Sequence, residues 1–453
     1  MTAGGERQRP GGWKVALALV SLALSLLLWI NGLLQSLDRP SVGNDLVIRQ
    51  LELAALAAPR LPNALQPLLV GERPETALLE EIDHQAAPDT ELLRALLLLN
   101  GPEPGRARPL LEALRDRSDP SSSPLISRLL DGPSPLGPAR LDGLALPPDP
   151  LLRRLSCRAL GGSRSDCALP REEGQALLQL LGVTLLPTLA VLAGVLLIGR
   201  EIWLRWRGYG PELPPLLGPC LGVTDVILLV AGGFVLLGEL ITPLLITPLI
   251  TGLLATLAIE SPLADGLTVL LLYLGLMAAP LAILALMLRG DRPEGGWLQY
   301  RWRPVGSAQR KALKGLLIAL PLVSLASWLQ QLAWSDPGGS NPLLELVLRS
   351  TSPLTLFCFA FTAIVLAPLF EETIFRGVLL PVMVRRVGAG WGVVVSSAVF
   401  ALAHLSLGEL TPLFVLGLAL GWMRLSSGRL SASIWLHALW NGLTFSNLVL
   451  LGS

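Results

Sequence analysis

Residues 357–384 read FCFAFTAIVLAPLFEETIFRGVLLPVMV. The stretch is long enough to cross a bilayer as a helix, which takes about 20 apolar residues. Its only charges are Glu371, Glu372 and Arg376, near the middle. A charge at bilayer depth is costly and marks a functional position by default. Helical spacing separates the roles of the three. Glu372 and Arg376 are i,i+4 neighbours that can pair. Glu371 is turned by about 100° from Glu372 and is left to handle a proton. Pro368 can bend the helix and loosen carbonyls beside the pair. Taken alone, the same residues also read as a buried salt bridge that only locks helices together.

The rest of the chain has the same character. Of 453 residues, 52% are hydrophobic and 15% charged, and the mean hydropathy is +0.59. Soluble domains carry about 25% charge, so a freely soluble enzyme is excluded. A net charge of +1 offers no basic footprint for nucleic acid. Lys14, Lys311 and Lys314 are the only lysines, and this Arg-, Leu-, Pro- and Gly-rich usage points to a bacterial chain. Apolar runs at 15–34, 175–199, 224–256, 265–288, 314–333, 357–384, 391–407, 411–425 and 431–450 predict an all-α, polytopic bundle of about nine spans. Pro243 and Pro248 predict a kink or a re-entrant segment in the long third run.

Three regions follow: a cytoplasmic tail and uncleaved anchor (1–37), a soluble helical domain (38–174) and a membrane core (175–453). Apolar residues recur at helical spacing in Asp45–Ala58, Glu75–Gln85, Glu91–Leu99, Pro109–Arg117 and Pro124–Leu130, with Pro/Gly/Ser-rich breaks between them. Arg200, Arg205 and Arg207, the basic residues from Arg289 to Lys314, Arg385 and Arg386, and Arg424 and Arg429 all fall on one side of the membrane. The opposite loops Glu260–Asp265, Asp336–Glu345 and Gly408–Thr411 have no Lys or Arg, with Arg349 the single exception beyond them. The positive-inside rule then puts 38–174 and the C-terminus outside the cytoplasm, across a bacterial plasma membrane. Cys157 and Cys167, in that domain, are equally consistent with a disulfide and with two free thiols. His84 reads as a solvated surface residue.

Two further segments hold the remaining histidines. His404 follows Phe400 by four residues within 391–407. His437 precedes Asn441 by four within 431–450, so both can aim at one point. A lone histidine on an apolar helix is usually a packed core residue, and a His/Asn pair can simply join helices. The three segments together ask for more: a carboxylate, two imidazoles and an amide can activate a water and stabilise an oxyanion. Glu371, His404 and His437 also make a 2-His-plus-carboxylate zinc set. No HExxH occurs.

The set E-E-x-x-x-R, F-x-x-x-H and H-x-x-x-N resembles the CPBP family of intramembrane proteases, which includes the type II CAAX prenyl endopeptidases and the bacteriocin-processing Abi proteins. The resemblance implies hydrolysis of a peptide bond in a membrane-embedded or lipidated peptide or protein. It implies that Glu371 with His404 activates water, that His437 with Asn441 stabilises the oxyanion, and that Glu372, Arg376 and Phe400 order the site. It leaves the metallo and the glutamate mechanisms both open. Two other readings compete: a scaffold or assembly factor of the same family, and a proton-coupled transporter. The chain shows no inverted repeat of the kind transporters carry.

Overall fold

The computed structural model describes residues 11–39, 42–85, 90–117, 123–132, 147–210, 212–289, 297–334, 339 and 341–452. The side chain of His84 lies outside this description. Among the described residues there are helices and turns but no strand. The chain divides into two compact units, residues 43–187 and residues 1–42 with 188–453.

Among the described residues eight helices are long and apolar enough to cross a membrane: Gly12–Ser36, Pro170–Trp206, Val223–Thr256, Leu263–Met287, Val305–Ala333, Pro353–Leu402, Leu407–Ser427 and Leu430–Gly452. In hydrocarbon each backbone polar group must be satisfied within the segment, and helices do this. Outward-facing Leu17, Leu27, Leu196 and Leu253 leave apolar surface exposed on the flanks. Val223–Thr256 is a continuous helical run through Pro243 and Pro248, and it changes from wide i→i+5 turns to α-helix at Thr242, beside Pro243.

The expected nine spans are reconciled with eight helices at Gly388. This residue has φ 83° and ψ 169°, a conformation open to glycine, and it reverses the chain inside Pro353–Leu402. Ser396 Oγ donates to the Phe375 carbonyl at 3.0 Å. In an unbroken helix those residues would lie about 30 Å apart. The two arms are therefore a hairpin, and they account for the two segments expected at 357–384 and 391–407. The second arm ends earlier than expected, at Leu402. Leu405 then takes φ 49°, and Ser406 Oγ caps the next helix by accepting from Glu409 N at 3.2 Å.

Phe234, Phe370, Phe375, Phe400, Leu416 and Leu436 stand at the centre of this unit's core. The first helix is a member of the bundle rather than a detached anchor. Ser25 Oγ donates to the Ala231 carbonyl at 3.0 Å, and Lys14 Nζ pairs with Asp225 Oδ1 at 2.5 Å.

In the other unit all five expected helices form, as Val42–Ala57, Pro74–Gln85, Glu91–Asn100, Ala107–Arg117 and Ser123–Asp131. Leu78, Leu96, Leu111, Ile126 and Leu155 close its core. A further helix, Pro150–Ala159, was not expected. Asp149 Oδ1 caps it by accepting from Leu152 N at 2.8 Å, and Pro150 occupies the first turn. Cys157 and Cys167 form a disulfide. Arg154, 5% exposed, donates to the carbonyls of Ala55 at 2.6 Å and Leu56 at 3.0 Å, which end the first helix of the unit. Burial pulls this guanidinium below its ordinary pKa; Glu75 and Glu173 oppose the shift.

Candidate active site

The Glu371–Glu372 pair sits on a short α-helical piece, Ala367–Glu372, held between two stretches of wider, i→i+5 turns at Thr362–Leu366 and Thr373–Leu379. Such wide turns are rare and often mark functional sites. Pro368 accounts for part of the geometry. In the first stretch Ala367 N bonds the Thr362 carbonyl, so the next acceptor, Ala363 O, faces Pro368, which has no amide hydrogen. Asn441 Nδ2 takes up that carbonyl at 2.7 Å.

Glu372 and Arg376 pair at 2.9 Å, and both side chains are fully buried. Arg376 Nη2 also donates to the Gly417 carbonyl at 3.2 Å, and its guanidinium lies 4.3 Å from the centre of the Phe400 ring. Gly417 lets its helix pack closely against Ser397, because a Cβ there would meet the Ser397 side chain and backbone. The ion pair assigned to site ordering is thus sealed from solvent.

Both glutamates address one imidazole. His437 Nδ1 lies 3.1 Å from Glu372 Oε1. A carboxylate only accepts, so Nδ1 carries the hydrogen. In the neutral ring Nε2 then presents a lone pair, and it lies 3.9 Å from Glu371 Oε2. That is too long for a direct hydrogen bond. Glu371 Oε2 is buried and has no hydrogen-bond partner among the described residues. The Glu371 side chain as a whole keeps 15% of its surface accessible, against none for Glu372.

The structure redistributes the other expected contacts. His404 sits in the turn after Leu402, not inside a helix. Its Nδ1 donates to the Phe400 carbonyl at 2.9 Å, and its ring meets Phe400 edge to face at 4.8 Å between centroids. No ion-pair-range contact joins it to Glu371 among the described residues; His437 makes that approach instead. His437 and Asn441, expected to converge on one point, diverge because Glu372 holds one and the freed Ala363 carbonyl the other. Phe400 is the shared neighbour, 5.6 Å from His437 and in contact with Phe375.

A zinc ion held by Glu371, His404 and His437 would need one donor atom from each about 2 Å from a single point. The Nδ1 atoms of His437 and His404 are taken by Glu372 and the Phe400 carbonyl, so the ring atoms left for a metal are the two Nε2. No group of three His, Cys, Asp or Glu side chains gathers as a metal site among the described residues.

Two residues of the site went unread in the sequence. Tyr273 OH donates to Glu371 Oε1 at 3.2 Å. Glu239 accepts from Trp29 Nε1 at 3.3 Å and lies within electrostatic range of Glu371 and Tyr273. Each is an isolated polar residue in an otherwise apolar span, which is the signal that could have found it.

Residues 353–443 match the family model described as type II CAAX prenyl endopeptidase Rce1-like. Residues 43–178 match one described as a domain of unknown function (DUF8675). No curated protein and no solved structure matches the chain. The first match encloses every residue of the three motifs, from Glu371 to Asn441. With eight apolar helices long enough to cross a bilayer, the chain is an integral, multi-pass membrane protein, and over residues 353–443 it is similar to the CPBP family of intramembrane proteases, as the three motifs implied.

Proposed function

We propose that the chain is an intramembrane endopeptidase in which Glu371 takes the proton of a water lying between Glu371 Oε2 and His437 Nε2. The 3.9 Å separation of these two acceptors carries this reading. A water can donate one hydrogen to each, which leaves its oxygen lone pairs free for a peptide carbonyl. Attack forms the C–O bond and moves one water proton to Glu371. The tetrahedral oxyanion collapses, the C–N bond breaks, and Glu371 returns the proton to the leaving amine.

The surrounding residues support that step. Tyr273 occupies Glu371 Oε1 and so aims Oε2. Glu372 fixes the His437 tautomer and is itself neutralised by Arg376. After donating to Ala363, Asn441 retains a second amide hydrogen, the donor we assign to the oxyanion. His404 keeps Nε2 for a substrate group, because Nδ1 is bound to Phe400 O. The substrate class is a membrane-associated or lipidated peptide. The test is cleavage of a prenylated CAAX peptide and of a single-span peptide by purified protein in detergent. Cleavage of either one, abolished in Glu371→Gln with the fold retained, supports the reading; full turnover by Glu371→Gln removes it.

We also place residues 38–174 on the outer side of a bacterial plasma membrane. The segregation of Arg and Lys supports this, and so does the Cys157–Cys167 disulfide, which belongs to oxidising compartments. Gly105→Cys should react with an impermeant thiol reagent in intact cells and Gly306→Cys should not; equal labelling of the two would refute the orientation.

A further inference from the structure

The unit formed by residues 43–187 contains a cleft of about 1070 Å³. Small-molecule sites run from about 300 to 1,000 Å³, so this one has room for a short peptide. Six arginines line it, Arg60, Arg73, Arg106, Arg154, Arg158 and Arg164, against five carboxylates. Most of these charges are already matched. Glu75, for example, lies 2.8 Å from Arg158 and 3.6 Å from Arg154. Two guanidiniums are not: Arg73 and Arg164 are exposed and have no ion pair among the described residues. Glu80 is the one lining carboxylate in the same condition.

The placement of the arginines makes the excess more pointed. Arg154 is nine-tenths buried in the cleft wall, and Arg158 and Arg164 both lie within electrostatic range of it. Glu75 already lies against both Arg154 and Arg158, so the charge left uncompensated in this group is that of Arg164. The Arg164 loop is fixed, since Cys157–Cys167 closes it at both ends and Cys167 itself lines the cleft. Leu61, Leu79 and Leu97 give the lining an apolar component, and Asn63 and Gln66 offer amides for a peptide backbone. A free phosphate would use the guanidiniums alone; this lining also asks for apolar side chains at peptide spacing.

We propose that this cleft binds an acidic, extended peptide segment, with Arg73 and Arg164 receiving its carboxylates. The site stands apart from the proposed hydrolysis, and its test reads binding alone. Full-length protein in detergent is titrated into a fluorescein-labelled peptide that alternates glutamate and leucine, and anisotropy is followed. Saturable, salt-sensitive binding is expected, weakened about tenfold or more in Arg73→Ala/Arg164→Ala, because charge-assisted bidentate contacts are the strong ones. Neither arginine supports another group, so the double variant should fold. Arg108→Ala, outside the cleft, should bind like the native chain. The proposal is overturned if the peptide does not bind, if its lysine–leucine counterpart binds equally, if the double variant keeps native affinity, or if inorganic phosphate displaces the peptide fully.

Discussion

Glu372 and Arg376 are an i,i+4 pair, and so are Arg108 and Glu112. The first pair is wholly buried at 2.9 Å. The second, at 3.2 Å, keeps 75% and 51% of its side-chain surface exposed. In sequence the two look alike; in the folded chain they do opposite work. The membrane pair is surrounded by Phe375, Phe400 and the Gly417 carbonyl, so neither member can be removed without stranding the other. The pair in the 43–187 unit sits in water, which can solvate whichever member is left. The same contrast separates the two functional regions. At the membrane site Glu372 and Arg376 are committed to each other, and Glu371 Oε2 is a buried oxygen left without a partner among the described residues. In the cleft, arginines remain uncommitted and accessible, as a binding surface requires.

The comparison can be broken at several points. Glu372→Gln should have the largest effect on stability, a loss of about 3–5 kcal/mol, because Arg376 is left buried without its counter-charge. Thermal unfolding in detergent measures it, and a variant as stable as the native chain would mean that water reaches the pair. Tyr273→Phe should lower turnover roughly tenfold with an unchanged melting temperature, since it removes one hydrogen bond to the Glu371 carboxyl group that the substrate does not replace. A loss of stability with no loss of rate would make Tyr273 a packing residue. Arg108→Ala should change stability by less than about 0.5 kcal/mol. A larger change would show that exposure fails to predict what an Arg–Glu pair is worth in this protein.

Much of this was legible in the sequence, for reasons that also mark its limits. The helices of the soluble unit could be read because their apolar residues recur at helical spacing. Pro150–Ala159 was passed over although Asp149 and Pro150 are a capping signal. The Glu372–Arg376 pair could be read because it is local, within one turn. Which imidazole faces Glu371 could not. It depends on two stretches of wide turns, on the reversal at Gly388 and on the helix ending at Leu402, and none of these follows from i,i+4 arithmetic. Glu239 and Tyr273 were readable as isolated polar residues in apolar runs, but their meeting with Trp29 and Glu371 is tertiary.

Pairing of Glu371 with His437, rather than with His404, is where the folded chain departs furthest from what the motifs imply. A double-mutant cycle on peptide turnover tests it. Glu371→Gln alone should lower the rate by about 10²–10⁴-fold. If one water is shared by Glu371 and His437, adding His437→Gln should lower it by no more than about threefold further, since residues that act as a unit are not additive. Adding His404→Gln should multiply the losses. Multiplied losses for Glu371 with His437, and a saturating loss for Glu371 with His404, would contradict the account.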